Sequence, residues 1–374
     1  MTAAVAPEWD RFAHWRAAPA RLVLALLLAL MIAAALVPVV AASGPLDQAA
    51  GTATVTGGTA APPAAERPRD TDLKLYDIAV ERIRKGENYY AFIVGEQRRL
   101  NFPVRPGLAV RLPTLAYLNA WLGDGGQMAA ALVLLAACMV VWWRRLGEEP
   151  GGMDKRLIAA AFLFVGTSLG LNRYYFALHE LWAGMLLVLS FGLHRPGRRW
   201  AASLAVAALA LAIREHSLPF VLLMAAMAGW RRDWKESAAW ITLALAFLAA
   251  LGLHLHVIAA QVTPGDPPSP SWLALRGLSG WLSDVALSSS LRFLPHWLAG
   301  PAVVLMTLGW CGWKSPAGTF GSLLFLGYGT GFMIAGRPDN FYWGAMIAPA
   351  MFIGFTFAPM AVQSLIASAK GKHG

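Results

Sequence analysis

The sequence predicts an all-α polytopic membrane protein, on the basis of its composition, its apolar runs and the placement of its basic clusters. Hydrophobic residues make up 57% of the 374 residues, charged residues only 14%, and the mean hydropathy is +0.51. About a quarter of the residues in soluble domains are charged. We therefore expect one transmembrane domain over residues 1–374, with about ten membrane-spanning helices and a long first periplasmic loop.

The N-terminal region predicts an uncleaved membrane anchor. Arg11, Arg16 and Arg21 precede an uncharged run at residues 22–42. The apolar core of a signal peptide has about 7–15 residues, and this run is longer and reaches the ~20 residues that a membrane span needs. Residues 43–69 follow, rich in Gly, Ala, Thr and Pro and without aromatic residues. Such a composition cannot bury a core, so we predict a flexible linker there.

The remaining apolar runs and the basic clusters between them predict the topology. Nine further runs carry few charges: 125–143, 157–172, 174–193, 200–213, 217–230, 237–263, 297–313, 315–336 and 341–369. The basic clusters then share the side of the N-terminus: 143–156, 194–199, 231–235, 314 and 370–372. The positive-inside rule makes this side cytoplasmic. We therefore expect a bacterial inner-membrane protein with both termini in the cytoplasm and its site in the periplasm.

Residues 200–230 allow two interpretations, a single kinked helix or two helices joined by a turn at residues 214–216. A single helix would place the basic cluster at residues 231–235 outside, so the charge bias favours two helices. The net charge of +10 comes from short clusters between apolar runs, which is typical of membrane loops, and nucleic-acid binding is not expected.

The first loop, residues 70–123, is the long polar segment of the chain. Leu73, Tyr76, Val80 and Ile83 recur at helical spacing before Gly86, and residues 107–122 give a second amphipathic pattern. Helices of this kind lie along a membrane surface, so membrane lipids are expected partners. A carboxylate held near that surface would have a raised pKa, which suits proton transfer.

The predicted outer turns collect charged side chains that oppose the orientation rule, and residues 264–295 form a longer outer segment. We expect these turns to build a cationic, partly sunken pocket for an anionic headgroup, because arginine pairs two phosphate oxygens and stays charged when desolvated. The alternative stays open that Arg214–Glu215 and Arg337–Asp339 are internal ion pairs. The expected binding residues of these turns are Arg173, His179, Glu180, Arg214, Glu215, His216, Arg337, Asn340 and Tyr342.

The sequence gives only a weak signal for a metal site. His179 and Glu180 are adjacent without a second pair, and His254 and His256 are two residues apart on a helix and cannot share a face. No cofactor is expected, and a divalent metal is possible but not indicated.

Three motifs of the first loop resemble the first extracytoplasmic loop of the GT-C glycosyltransferases, in particular protein mannosyltransferases and lipid A aminoarabinose transferases. They are Asp72-Leu-Lys-Leu-Tyr76, Gly86-Glu-Asn-Tyr-Tyr90 and Phe102-Pro-Val-Arg105-Pro-Gly107. The resemblance implies that Asp72 is the catalytic residue. The family places Asp-Glu directly after the first helix, whereas here Leu73 follows and a linker intervenes, so Asp70 or Asp77 could carry the role.

The resemblance also implies a reaction. A polyprenyl-phosphate-linked sugar would be the donor, the acceptor would be a hydroxyl of a lipid, glycan or protein, and Asp72 would act as base with inversion at the sugar. Tyr76, Arg105 and Arg111 join the expected substrate-binding residues. A transporter or flippase of an anionic lipid or metabolite is the alternative, since it would use the same buried arginines without a catalytic carboxylate.

Overall fold

The structure is a computed structural model that describes residues 8–39 and 70–371. The linker predicted at residues 43–69 lies outside the described residues. Within them the chain forms α-helices and short 3-10 turns, with isolated β-bridges and no strand, which confirms the all-α class. The helices are α1 (Ala17–Leu36), α2 (Thr71–Arg84), α3 (Tyr89–Arg99), α4 (Thr114–Glu148), α5 (Arg156–Thr167), α6 (His179–Leu193), α7 (Ala201–Ile213), α8 (Leu218–Trp230), α9 (Trp234–Ala259), α10 (Leu278–Leu287), α11 (His296–Gly312), α12 (Pro316–Ile334), α13 (Ala348–Met351) and α14 (Ala358–Ala369).

Four helical stretches among the described residues are long and apolar enough to cross a membrane. They are α1, α9, α12 and the run Gly107–Glu148, which contains α4. The segment Ala348–Thr356, which contains α13, and α14 are bent by 52° and make a fifth if they form one span. α6 and α7 are apolar but have only 15 and 13 residues, or about 20 Å of helix each. By their length and composition, these stretches support the prediction of a membrane protein.

Side-chain contacts group the connecting segments at two ends of the helix bundle. At one, here called the N-terminal end, Arg11 Nε donates to the carbonyl of Cys311 at 2.8 Å and Trp313 Nε1 to that of Pro150 at 2.7 Å. At the other, the loop end, Asn119 of α4 donates to the carbonyl of Phe176 at 3.0 Å. The described part of the first loop covers this second end.

The turn at residues 214–216 joins two separate helices that return to the same end. Glu236, at the start of α9, accepts from the backbone N–H of Gly197 before α7 and from Arg231 after α8, at 3.3 Å and 3.2 Å. Both outer termini of the α7–α8 pair therefore lie at the N-terminal end. This arrangement agrees with the two-helix interpretation of the sequence and not with a single kinked helix.

The first loop has its own small core. Apolar side chains of α2 and α3 pack with Val104, Val110, Ala116 and with Ile258 of α9. The sequence predicted a surface helix at residues 107–122, but α4 begins only at Thr114, after Pro113, since proline lacks the N–H that a helix interior needs. α3 was not predicted. α4 then breaks at Gly123, whose φ of 63° is a left-handed conformation that glycine adopts without strain.

Two central elements bring the site residues to the loop end. α6 is buried along nearly its whole length against α4, α7 and the 3-10 segment Pro338–Met346. A Cβ at Gly184 would lie 2.0 Å from the carbonyl oxygen of Ala345, so glycine is needed for this close approach. The predicted outer segment 264–295 contains α10, whose Trp281, Leu282 and Val285 are buried.

Candidate active site

Asp72 lies in the first turn of α2, at the loop end. Leu73 and Leu75 are buried beneath it and fix the helix against the bundle, while Asp72 itself is half-buried. Burial raises the pKa of the Asp72 carboxyl, and the nearby carboxylates of Asp339, Glu180 and Asp70 raise it further, whereas the Arg111 guanidinium opposes the shift. The result is a carboxylate that takes up a proton more readily than one in water.

Arg111 stands at the centre of the site. The backbone carbonyl of Arg111 accepts a hydrogen bond from the Tyr89 hydroxyl at 2.8 Å, which fixes the chain between α3 and α4. Its Nε donates to the Tyr76 hydroxyl at 3.0 Å and its Nη2 to the Tyr342 hydroxyl at 3.4 Å. Burial raises the pKa of Tyr76, so this hydroxyl stays neutral. The guanidinium is thus held by neutral oxygens, with 13% of its side chain exposed.

Two carboxylates and a second arginine adjoin Arg111. Arg214 is fully buried, with Nε 2.6 Å from Glu180 Oε1 and Nη1 donating to Glu215 Oε1. Arg111 lies 3.8 Å from Glu180 Oε1 and 4.0 Å from Glu215 Oε1. Two positive and two negative charges therefore share one buried position, which limits the cost of removing them from water. We call Asp72, Tyr76, Arg111, Glu180, Arg214 and Glu215 the Asp72–Arg111 cluster.

The two histidines of the predicted site flank this cluster. His179 is buried at the start of α6, with its ring centroid 4.9 Å from that of Tyr76, and neither ring nitrogen has a hydrogen-bond partner among the described residues. The His216 ring lies 4.4 Å from that of Trp343, and its Nδ1 is 3.4 Å from Glu215 Oε1. Buried polar atoms are usually hydrogen-bonded, so His179 is unusual for a structural residue.

The segment Pro338–Met346 supplies the opposite wall. Asn340 Oδ1 accepts from the backbone N–H of Arg337 at 3.1 Å, and its Nδ2 donates to the Tyr342 hydroxyl at 3.2 Å. The Arg337 guanidinium makes two bonds of 3.1 Å to Asp339 and one of 3.3 Å to Ser269 Oγ. The internal ion pairs that the sequence left open as alternatives are therefore both present, Arg214–Glu215 and Arg337–Asp339.

Four of the residues considered from the sequence lie away from the centre of the cluster. The backbone N–H of Asp70 donates to the Tyr174 hydroxyl at 3.2 Å, and Asp70 is exposed. The carbonyl of Arg105 accepts from Ser269 N at 2.6 Å. Arg173 is exposed and, together with Asp77, lines a separate cavity. Asp72 is half-buried, and the Arg111 guanidinium opposes the rise that burial causes in its pKa.

Sequence reasoning missed several participants. Tyr328 of α12 donates to the His216 carbonyl, and Ser269 binds both Arg105 and Arg337, although neither residue carries a charge or motif that would mark it. His254 contacts the Tyr90 hydroxyl and the Val110 carbonyl, which ties α9 to the first loop. Residues 8–39 and 70–371 contain no group of three or more His, Cys, Asp or Glu side chains placed to hold a metal ion.

Comparison with known proteins gave no matching family, no similar curated protein and no similar solved structure. The chemistry of this site is therefore argued from its own residues.

Proposed function

We propose that this protein is a GT-C-type glycosyltransferase that moves a sugar from a polyprenyl-phosphate donor to an acceptor hydroxyl. The observation that carries the proposal is the half-buried Asp72, whose pKa is raised by burial and which is influenced by the Arg111 guanidinium. A base with a raised pKa beside a cation suits a reaction in which a hydroxyl loses a proton while a phosphate gains charge. The acceptor hydroxyl belongs to a lipid, glycan or protein in this scheme.

In the proposed reaction Asp72 accepts the proton of the acceptor hydroxyl. The hydroxyl oxygen bonds to the anomeric carbon as the bond from that carbon to the phosphate oxygen breaks, and the electron pair leaves with the phosphate. Attack opposite the phosphate inverts the anomeric configuration. Arg337, whose side chain is 25% exposed, is accessible to the phosphate, and Arg111 adds positive charge beside Asp72. Each such donor is commonly worth about 3–4 kcal/mol in the transition state.

The sequence predicted that Arg214 binds the anionic headgroup, but in this scheme it has a different role. It is fully buried between Glu180 and Glu215, so a phosphate could reach it only after these ion pairs separate. We assign it a positioning role, in which it holds the two carboxylates that face Arg111. Glu180, His179 and His216 would then orient the sugar, and Tyr342 would fix Arg111.

The proposal includes a topology of ten membrane crossings, with both termini in the cytoplasm and the Asp72–Arg111 cluster at the periplasmic face of a bacterial inner membrane. The grouping of the basic segments at the N-terminal end supports it, because such clusters remain on the cytoplasmic side. Single cysteines introduced at Glu148 and at Lys74, each in a variant lacking Cys138 and Cys311, test it. A membrane-impermeant thiol reagent added to whole cells with a permeable outer membrane should label only the cysteine at position 74.

Asp72→Asn tests the enzymatic role. Cells lacking the protein should lose a glycan or glycolipid species that mass spectrometry detects, and the wild-type protein should restore it. Asp72→Asn should lower restoration by about 10²–10⁴-fold, the usual range for losing a general base. Asp154→Asn, an exposed aspartate at the N-terminal end, is the control and should restore fully.

The same experiment separates the alternatives. If Asp72→Asn restores the species while Asp70→Asn or Asp77→Asn does not, the catalytic role belongs to that other aspartate. Full restoration by all three variants would contradict the enzyme proposal and favour the transporter, which needs no catalytic carboxylate.

A further inference from the structure

A second cavity lies at the loop end, on another side of α2. Its volume is about 380 Å³, which falls within the ~300–1,000 Å³ typical of small-molecule sites. Asp77, Glu81 and Arg84 recur at positions i, i+4 and i+7 of α2 and so form one stripe along this wall. We call this space the polar cavity.

The opposite wall comes from α4 and from the turn before α6. Asn119 and Gln127 of α4 are buried and face the cavity, Asp124 follows the break at Gly123, and Arg173 stands exposed at the edge. Arg84 pairs with Asp124 at 3.0 Å. The break in α4 thus places polar side chains on both sides of Gly123 around one space.

Asn119 carries the observation that points to a ligand. It is 3% exposed and lines the cavity, its Nδ2 donates to the Phe176 carbonyl at 3.0 Å, and its Oδ1 has no hydrogen-bond partner among the described residues. An unmade hydrogen bond on a buried acceptor costs about 1–3 kcal/mol. A ligand that donates a hydrogen bond to Asn119 Oδ1 would remove this cost.

The chemistry of the lining selects the ligand class. Three carboxylates, two amides and two guanidinium groups line the cavity, so acceptors and donors are mixed and neither sign of charge dominates. Val80, Phe176 and Ala177 add an apolar side, and Phe176 offers an aromatic ring. Hydroxyl groups both donate and accept, and the C–H faces of a sugar ring are apolar. We infer that the polar cavity binds a neutral saccharide.

The position of the cavity suggests what the saccharide does. A void of about 10 Å³ shares Val80, Asn119 and Ala177 with the lining of the polar cavity, and it is also lined by Tyr76 of the Asp72–Arg111 cluster and by His179. Tyr174 follows the lining residue Arg173 in the chain, and its hydroxyl accepts from the backbone N–H of Asp70, directly before α2. This assignment rests on the proposed function: the saccharide is the portion of the acceptor next to the reacting hydroxyl.

A glycan array probed with the full-length protein in nanodiscs tests the inference. The wild-type protein should bind a set of neutral oligosaccharides, and Asn119→Leu, which fills the space with an apolar side chain, should weaken that binding at least tenfold. Arg173→Ala, at the exposed rim, should weaken it while leaving the unfolding temperature unchanged. Lys74→Ala, exposed on α2 and outside the cavity, is the control and should bind as the wild type does.

Binding and transfer fail separately in this design. Asp72→Asn should bind the same oligosaccharides and fail to restore the glycan species in cells, so loss of the proposed function leaves the binding result intact. Absence of saccharide binding by the wild-type protein, or binding that the Asn119→Leu and Arg173→Ala variants both keep, overturns the inference. Binding of inorganic phosphate or spermidine in place of neutral saccharides would also overturn the inference, since such binding would indicate a site for charged ligands.

Discussion

Both ends of the bundle bury ion pairs, but they satisfy them differently. At the N-terminal end Arg145 is 1% exposed, with Nε bonded to Glu149 at 3.1 Å and Nη1 donating to the carbonyls of Phe191 and His194. Glu236 accepts from His194 at 2.6 Å and from Arg231 and Gly197. Among the described residues every polar side-chain atom of Arg145 and Glu236 has a partner, whereas Nε of Arg231 lacks one.

At the loop end the partners are incomplete. Both ring nitrogens of His179, Nη2 of Arg214 and Nδ1 of His216 are buried without a well-formed hydrogen bond among the described residues. Arg111 reaches Glu180 and Glu215 only at 3.8–4.0 Å. A nearly complete network fixes structure, whereas a network with many unpartnered atoms keeps donors and acceptors for a substrate. This contrast supports placing function at the loop end, and the following predictions test it.

The largest effect on stability is expected at the N-terminal end. Glu236→Ala leaves Arg231 and His194 without their shared acceptor, and breaking a buried pair in this way costs about 3–5 kcal/mol. Denaturant or thermal unfolding in detergent measures it. Glu148→Ala, which removes a half-exposed partner of Arg195 at the same end, is the control and should cost less than about 1 kcal/mol. Equal effects from both variants would contradict the view of Glu236 as a structural centre.

Glu180→Gln should act mainly on activity. Glutamine keeps the shape but removes the charge that faces both Arg111 and Arg214, so we expect transfer to fall about 10²-fold, as for loss of one charge-stabilising group. The measure is restoration of the glycan species per folded protein. If Glu180→Gln lowers the unfolding temperature as Glu236→Ala does and leaves activity intact, the loop end is structural as well.

Arg337→Ala should weaken the donor step without much loss of stability. Its ion pair with Asp339 is partly exposed, and such pairs contribute about 0–1 kcal/mol. We expect a rise in KM for the donor of about tenfold, with Arg292→Ala, another exposed arginine at the loop end, as the control. An unchanged KM in Arg337→Ala would remove this arginine from the phosphate site.

The smallest predicted effect is a gain in stability. Because burial raises the pKa of Asp72 in the folded protein, the folded state binds the proton more tightly than the unfolded chain. The resulting stabilisation is complete below the ordinary pKa of 3.8 and is lost as pH rises through the raised value. Asp72→Asn should therefore raise the unfolding temperature slightly at pH 7, with a gain that shrinks towards pH 4. A loss of stability at pH 7 would contradict this.

Much of the candidate site could be predicted from charge in an apolar chain. Glu180, Arg214 and Glu215 stand out because a charge in a hydrophobic stretch needs a reason to be kept, and the structure brings them together. Arg173 carries the same signal and lies elsewhere, at the rim of the polar cavity. Sequence position shows that a charge is exceptional, but not which neighbour it meets.

The all-α class follows from the sequence alone, and charge placement favoured the turn at residues 214–216, because hydrophobic periodicity and charge act locally along the chain. The contact of Arg111 with Tyr342, 231 positions away, and the enclosure of Arg214 by carboxylates arise from tertiary packing. Tertiary packing also creates the polar cavity, which forms where α4 breaks at Gly123 beside α2. Such contacts depend on how distant segments pack, and local pattern does not encode that geometry.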